Sequence, residues 1–391
     1  MADTHIRPSR VIPNPFASGT LLTAEPSRDP LAFHGGLTGY APTALVDAPD
    51  VAATLGVGRV WVKNEAERLG LPAFKVLGAS WATYRALTAH LGIDTSSVSL
   101  GMDELRTRLA PALPLKLAAA TDGNHGRAVA RMARWLELDA EIFVPDEMVV
   151  ARRAAIVSEG ATVTVVDGSY DDAVERAAAE AGARCFIIAD TAWPGYEDVP
   201  AWVIDGYSTI LWEIEDELAA RDEPAPDIVV MQIGVGAFAA AVTRHFRRPG
   251  AHPATVLIGV EPLDAACALG SIEAGEIIHV PGPHGSIMAG LNCGTPSPVA
   301  WPTLERGIDL FVAVDDEYAR EAMRLLARSD IVAGESGAAG LAGLLALLRE
   351  GSPEALRLTP NSRVLLFNTE GATDPEGYAR IIGEGDKQTT S

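Results

Sequence analysis

Between residues 115 and 190 four short apolar runs alternate with three segments of helical spacing, and that rhythm leaves few folds open. The runs are LKLAAA, AEIFVP, TVTVV and RCFIIAD; helices are predicted over 126–136, 149–159 (closed by Gly160) and 171–181. Strands separated by helices of this length pair in parallel through right-handed crossovers. A second series follows: DIVVMQ, a helix over 237–246, TVLIGVEP, helices over 317–328 and 336–348, and RVLLFN. Upstream, RVWVKNE alternates like a strand, and 78–92 has helical spacing ending at Gly92. Residues 1–50 are rich in Pro, Asp, Ser and Thr and read as a loosely structured arm, irregular in part over 1–40. The pattern predicts an α/β protein with two open parallel sheets. A large domain (1–90 with 211–391) is interrupted by a smaller inserted α/β domain (91–210).

The length of 391 residues suits two domains, and 48% hydrophobic residues supply their cores. Lys and Arg number 31 against 52 Asp and Glu, a formal charge of −21. Such a surface repels phosphate backbones, which argues against nucleic acid as a partner, and an anionic ligand would need a local positive site. Three cysteines are too few for a secreted disulfide scaffold. No apolar segment follows the first basic residues, and no run nears the ~20 apolar residues of a membrane helix. A cytoplasmic protein with no membrane partner is expected.

Ligands of open parallel sheets bind beyond the carboxyl ends of the strands. Three unusual turns fall there: TDGNHG (121–126), ADTAWPGYE (189–197) and QIGVGAF (232–238). In the last, Gly234 and Gly236 let the backbone of Gly234, Val235, Gly236 and Ala237 approach an anion at a helix N-terminus. A plain tight turn would look the same, and Glu261 at the end of the next strand mimics a ribose-binding acid, although the dinucleotide fingerprint lacks its third glycine. In LPAFKVLGAS, Lys75 lies between Phe74 and Val76 just before a helix. Apolar neighbours and a helix N-terminus both favour the neutral amine, the form that makes a Schiff base with an aldehyde. A surface lysine with a packed stem is the plainer reading. Lys75 together with a phosphate-binding turn points to pyridoxal 5'-phosphate.

FKVLGAS, TDGNHGRAVA, DTAWPGYEDVPAWVIDGY, GVGAF, ESGAAG and NTEGATDP occur in the order seen in diaminopropionate ammonia-lyases. The chain resembles that family, which has the tryptophan-synthase-β-like (fold type II) architecture, from about Phe33 to Pro375. The resemblance implies a Schiff base on Lys75, with Phe74 beside the cofactor. It puts Asn124 on the phenolic oxygen, the Gly234–Ala237 turn on the phosphate, and Thr369 (or Asn368) near the pyridine nitrogen. Glu335 and Ser336 either border the cofactor or cap a helix. Ser80, Thr121, Asp122, Gly123, His125 and Asp190 are the substrate-side residues, and His125 supports the turn in related proteins.

Asp122 replaces the Ser of serine and threonine dehydratases. In the family the matching Asp takes the Cα proton of the D-isomer, and the lysine that of the L-isomer. Asp190 would hold a β-ammonium or adjust the charge near Asp122, with a helix cap or turn as its plainer role. Two acids suit a dicationic amino acid, so the implied reaction is elimination of 2,3-diaminopropionate to pyruvate and ammonia. The alternative is a related dehydratase or lyase acting on D-serine, threonine or another β-substituted amino acid. A non-catalytic nucleotide-binding or sensor protein would have no need of Lys75, and an NAD oxidoreductase would leave Lys75 and both acids unexplained. Cys267 and Cys293 stand where family members carry cysteines that can pair, free thiols fitting a cytoplasmic protein as well; Cys185 reads as core. A homodimer is implied, and no metal ligand is assigned. Pro72 and Ala73 depart from the family pattern ahead of the lysine.

Overall fold

The runs RVWVKNE and RVLLFN lie side by side as parallel strands, Val364 opposite Val60 and Leu366 opposite Val62. The computed structural model describes residues 6–19, 21, 25–94, 100–121, 123–168, 170–252, 254–351, 356 and 358–388. Its strands are β1 (Arg10–Pro13), β2 (Leu45–Asp47), β3 (Arg59–Asn64), β4 (Lys116–Ala120), β5 (Asp139–Pro145), β6 (Thr162–Val166), β7 (Cys185–Ile187), β8 (Ile228–Gln232), β9 (Val256–Pro262), β10 (Leu310–Val314) and β11 (Arg363–Asn368). They form a seven-stranded sheet in the order β1-β10-β9-β8-β11-β3-β2 and a four-stranded sheet in the order β6-β5-β4-β7. The small sheet is parallel throughout. The large one is parallel except for its edges, β1 against β10 and β2 against β3.

Helices cover both faces of the large sheet, so its central strands carry unbroken apolar runs (Val60–Val62, Ile228–Met231, Val364–Phe367) rather than alternating. Val60, Val62, Val230 and Leu366 lie in one buried cluster with Leu341, Leu344 and Leu345 of the Ala339–Glu350 helix. Trp61, Met231, Leu365 and Phe367 point the other way, toward Phe74, Tyr207 and Phe238. Each fully buried side chain of this size contributes about 1.5–3 kcal/mol.

The first helix after β3 spans Lys75–His90, three residues earlier than its glycine suggested. Gly78 is an interior residue. It lies where the Asp198–Ala220 helix crosses, and a Cβ there would stand 2.5 Å from the Tyr207 ring. Gly206 faces it, with a Cβ position 2.6 Å from the Leu77 carbonyl. The two glycines let the helices touch backbone to backbone, a packing signal that reads as a cap in sequence.

Residues 1–50 are not a loose arm where they are described. They supply both antiparallel edge strands, β1 and β2, and the Asp29–Gly35 helix. Edge strands of four and three residues have too little periodicity to be seen without the neighbour that pairs them. β10 and the Asp198–Ala220 helix lay outside every sequence expectation. The helix predicted from residue 336 starts at Ala339, and Cys185 is half-buried rather than core. Among the described residues no helix is long and apolar enough to cross a membrane.

Candidate active site

The carboxyl ends of β4, β7, β8 and β11 converge on one cavity, lined from both sheets, where ligands of open parallel sheets bind. Lys75, the first residue of its helix, reaches into it and donates from Nζ to Asp190 Oδ2 at 2.7 Å. Its approach is held twice. Phe74 N donates to Thr369 O at 3.3 Å, and Gly371 N donates to Pro72 O at 2.9 Å. Pro72 therefore ties the lysine loop to the NTEG turn. Behind the loop, a buried network joins Arg68 to Glu65 (2.6 Å) and Glu213 (2.7 Å), and Lys63 to Glu213 (2.7 Å).

The electrostatics of Lys75 are the reverse of the sequence expectation. Burial does disfavour its ammonium, but the Asp190 carboxylate outweighs that and holds its pKa above the ordinary lysine value. Asp190 is likewise disfavoured by burial, yet the Lys75 charge brings it well below the usual carboxylate range. The two form an ion pair, so Asp190 already has a cation before any substrate arrives. Tyr170 adds a hydroxyl donor to Asp190 Oδ1 at 3.3 Å. The DTAWPGYE motif supports the acid from behind: Tyr196 stacks on Trp193 (centroids 4.1 Å apart), accepts from Ala189 N and donates to Ile187 O at 2.6 Å.

Across the cavity, the turn from Gly234 to Ala237 opens the Ala237–Phe246 helix. No side chain caps that helix, and the amides of Val235, Gly236 and Ala237 find no acceptor among the described residues. Gly236 has φ +95°, a left-handed conformation that glycine adopts freely. Such a row of amides is an anion site.

At the end of β11, Thr369 Oγ1 accepts from Gln232 Nε2 at 2.8 Å, which leaves the threonine proton free to donate. Glu370, not singled out in the sequence, receives Asn124 Nδ2 at 2.5 Å and Ser336 N at 3.1 Å. Its signal was present: an acid one residue past the strand end, inside a family motif. Asn124 is thus fixed from the opposite sheet. Ser336 borders the cavity and accepts from Gly290 N at 3.1 Å, while Glu335 faces an adjoining outer groove; neither caps a helix.

On the small-sheet side, Thr121 Oγ1 accepts from Gly123 N (2.9 Å) and Gly126 N (3.0 Å), shaping the turn into the Asn124–Leu136 helix. The amides of Asn124 and His125 have no acceptor among the described residues. His125 Nε2 meets the Ile188 carbonyl at 2.7 Å. A carbonyl only accepts, so the proton sits on Nε2, and buried Nδ1 is a bare acceptor without a partner. Burial lowers the His125 pKa, keeping the ring neutral, and the bond to Ile188 braces the strand that leads to Asp190.

Asp122 lies outside the described residues. Ser80 is directed elsewhere: it is fully buried within its helix, near Leu77 O and His34 rather than at the cavity wall. The other residues singled out, Phe74, Lys75, Thr121, Gly123, Asn124, His125, Asp190, Gly234, Val235, Gly236, Ala237 and Thr369, all line the cavity. Arg152 and Tyr170 line it too and were missed, because nothing local marks a residue on the first turn of a surface helix. Glu261 caps the Cys267–Ala274 helix with both carboxylate oxygens, on Ala268 N and Leu269 N at 2.8 Å each. That removes the ribose-binding reading. Cys267 and Cys293 are buried and not joined in a disulfide.

These residues fit pyridoxal phosphate. An amine and a row of backbone amides suited to a phosphate line one cavity, and a hydroxyl is free to donate to a ring nitrogen.

Known proteins share this sequence and fold. The family model described as pyridoxal-phosphate dependent enzyme matches residues 37–370. The diaminopropionate ammonia-lyase of Salmonella typhimurium is 35% identical over 385 residues, covering 94% of this chain and 95% of that protein. A crystal structure of the diaminopropionate ammonia lyase from Escherichia coli in complex with D-serine superposes with a TM-score of 0.89 at 34% identity, covering 97% of this chain and 98% of that one. The Escherichia coli enzyme in complex with an aminoacrylate-PLP azomethine reaction intermediate gives 0.87 at 34% identity, with 96% and 97% coverage.

Proposed function

Because this chain belongs to the diaminopropionate ammonia-lyase family of pyridoxal-phosphate-dependent enzymes, we propose that it eliminates ammonia from 2,3-diaminopropionate to give pyruvate and a second ammonia. The observation that carries the reading is the Lys75–Asp190 pair, 2.7 Å apart in a cavity rimmed by the Gly234–Ala237 amides. Bound pyridoxal phosphate supplies the electron sink that acidifies the substrate Cα–H.

The chain supplies the rest. The Gly234–Ala237 amides hold the phosphate, Thr369 donates toward the ring nitrogen, and Asn124, fixed by Glu370, faces the phenolic oxygen. Lys75 Nζ carries the cofactor and takes the Cα proton of the L-isomer; Asp122, read from its place between Thr121 and Gly123, takes that of the D-isomer. Asp190, once Lys75 is engaged, is a buried carboxylate free to receive the β-ammonium. A β-hydroxyl gains less from a full negative charge in a low-dielectric site, and this difference selects the diamine over serine. The three cysteines, none in a disulfide, suit the cytoplasm, and a homodimer belongs to the same reading, to be checked by light scattering.

The test is pyruvate release from D- and L-2,3-diaminopropionate, D-serine and L-threonine. The proposal expects preference for diaminopropionate, loss of all turnover in K75A, and loss of D-isomer turnover alone in D122N. Brisk turnover of a hydroxy amino acid with none of diaminopropionate would overturn it.

A further inference from the structure

The inner cavity opens into an outer groove, and Arg152 and Tyr170 line both. Among the described residues Arg152 is the one cation besides Lys75 at the inner cavity wall. Lys75 is committed to Asp190; Arg152 has no carboxylate partner among the described residues. It stands on the Val150–Ser158 helix after β5, and its stem crosses Gly123, where a Cβ would meet Arg152 Cδ at 3.2 Å. A guanidinium has five N–H donors. Here its one hydrogen bond among the described residues is a long one, from Nη2 to Thr373 Oγ1 at 3.4 Å, and no carboxylate of those residues pairs with it.

The acids nearby do not claim it. Glu370 spends its two oxygens on Asn124 and Ser336 N, and its remaining neighbour is the Thr373 hydroxyl at 3.5 Å. Glu335 feels the Arg152 charge but makes no ion pair with it. The guanidinium therefore sits at the mouth of an amino-acid cavity, beside the Asn124 and His125 amides, which have no acceptor among the described residues.

We propose that Arg152 binds the α-carboxylate of the incoming amino acid, together with the backbone amides of Asn124 and His125, and so selects amino acids over amines of the same length. The phosphate of the cofactor is not its target, because that group belongs to the glycine turn after β8, on the other sheet. The planar fork of Arg matches a carboxylate with two parallel hydrogen bonds, which Lys cannot reproduce. This inference rests on the reading of the protein as an amino-acid lyase but not on which β-substituent leaves.

The test uses the holoenzyme with R152M and R152K, and reads the change in the cofactor's visible absorption on titration with L-alanine and with 1,2-diaminoethane, which has no carboxylate. In R152M the alanine Kd rises about 10- to 100-fold, the range of one charge-assisted hydrogen-bonded contact. The diamine Kd stays within about twofold, and R152K lies between the two proteins for alanine. With 2,3-diaminopropionate, KM rises in parallel while kcat changes little. Equal weakening of both ligands would assign Arg152 to the shape of the turn, and no weakening of either would assign it no role; each overturns the proposal. Because the titration needs no turnover, an enzyme inactive on 2,3-diaminopropionate that still shows the Arg152-dependent discrimination would refute the substrate and leave the carboxylate site standing.

Discussion

Replacing Gly236 by Ala tests the glycine turn at a single atom. The structure assigns two separate costs. An L-residue at φ +95° carries roughly 1–2 kcal/mol of backbone strain. The new Cβ would also stand 2.5 Å from Leu304 Cδ1 and 3.4 Å from Ala300 Cβ, both buried. Leu304 is fully buried, and overpacking of a buried side chain costs about 1–3 kcal/mol. The sum is about 2–5 kcal/mol for G236A, measured by equilibrium urea unfolding of the cofactor-free protein. L304A separates the parts. Alone it opens a cavity and costs about 2–5 kcal/mol, but in G236A/L304A the contact is gone while the strain remains. The double-mutant cycle should therefore show a favourable coupling of about 1–3 kcal/mol. A G236A protein within about 0.5 kcal/mol of wild type would refute the left-handed turn. Additive single mutants would refute the contact with Leu304.

Three further outcomes follow from the charges. D190N removes the counter-charge of Lys75 while leaving it buried, so the lysine pKa falls; amine labelling of Lys75 in the cofactor-free protein at pH 8 should accelerate by about tenfold or more, and an unchanged rate would separate the two groups. R68M leaves Glu65 and Glu213 buried with less positive charge between them, which should lower stability by about 3–5 kcal/mol in urea titrations; a loss below about 1 kcal/mol would show that the network has no net weight. Burial raises the Glu261 pKa from 4.5 to about 7, so over that window the folded state holds a proton that the unfolded state has lost. Its contribution to stability accordingly falls as pH rises from 4.5 to about 7, by roughly 3 kcal/mol in all. E261Q should flatten that part of the profile, and an identical slope in the variant would place the titration elsewhere.

Much of the site was legible because its parts are local. A phosphate turn needs two glycines within three residues ahead of a helix, and the lysine, the TDGNHG turn and the NTEG turn each sit in a short motif that specifies its own conformation. Strand and helix periodicity located both sheets for the same reason: it reports burial along one segment. What stayed hidden is set by distant partners. The glycines at 78 and 206 have meaning only where two helices cross, and β1 and β2 exist as strands because β10 and β3 lie beside them.

The chemistry divides along the same line. The sequence by itself determined which reactive groups are present and that each follows a strand, hence the cofactor and the class of enzyme. Only the tertiary structure decided their charge and their company. It brings Asp190 to Lys75 across 115 residues and Glu370 to Asn124 across 246, and it turns Ser80 away while carrying Arg152 to the cavity mouth. A lysine between apolar neighbours looks neutral along the chain. Folded against a carboxylate 2.7 Å away it is an ammonium, because at that range in a buried site the attraction of opposite charges exceeds the cost of leaving water.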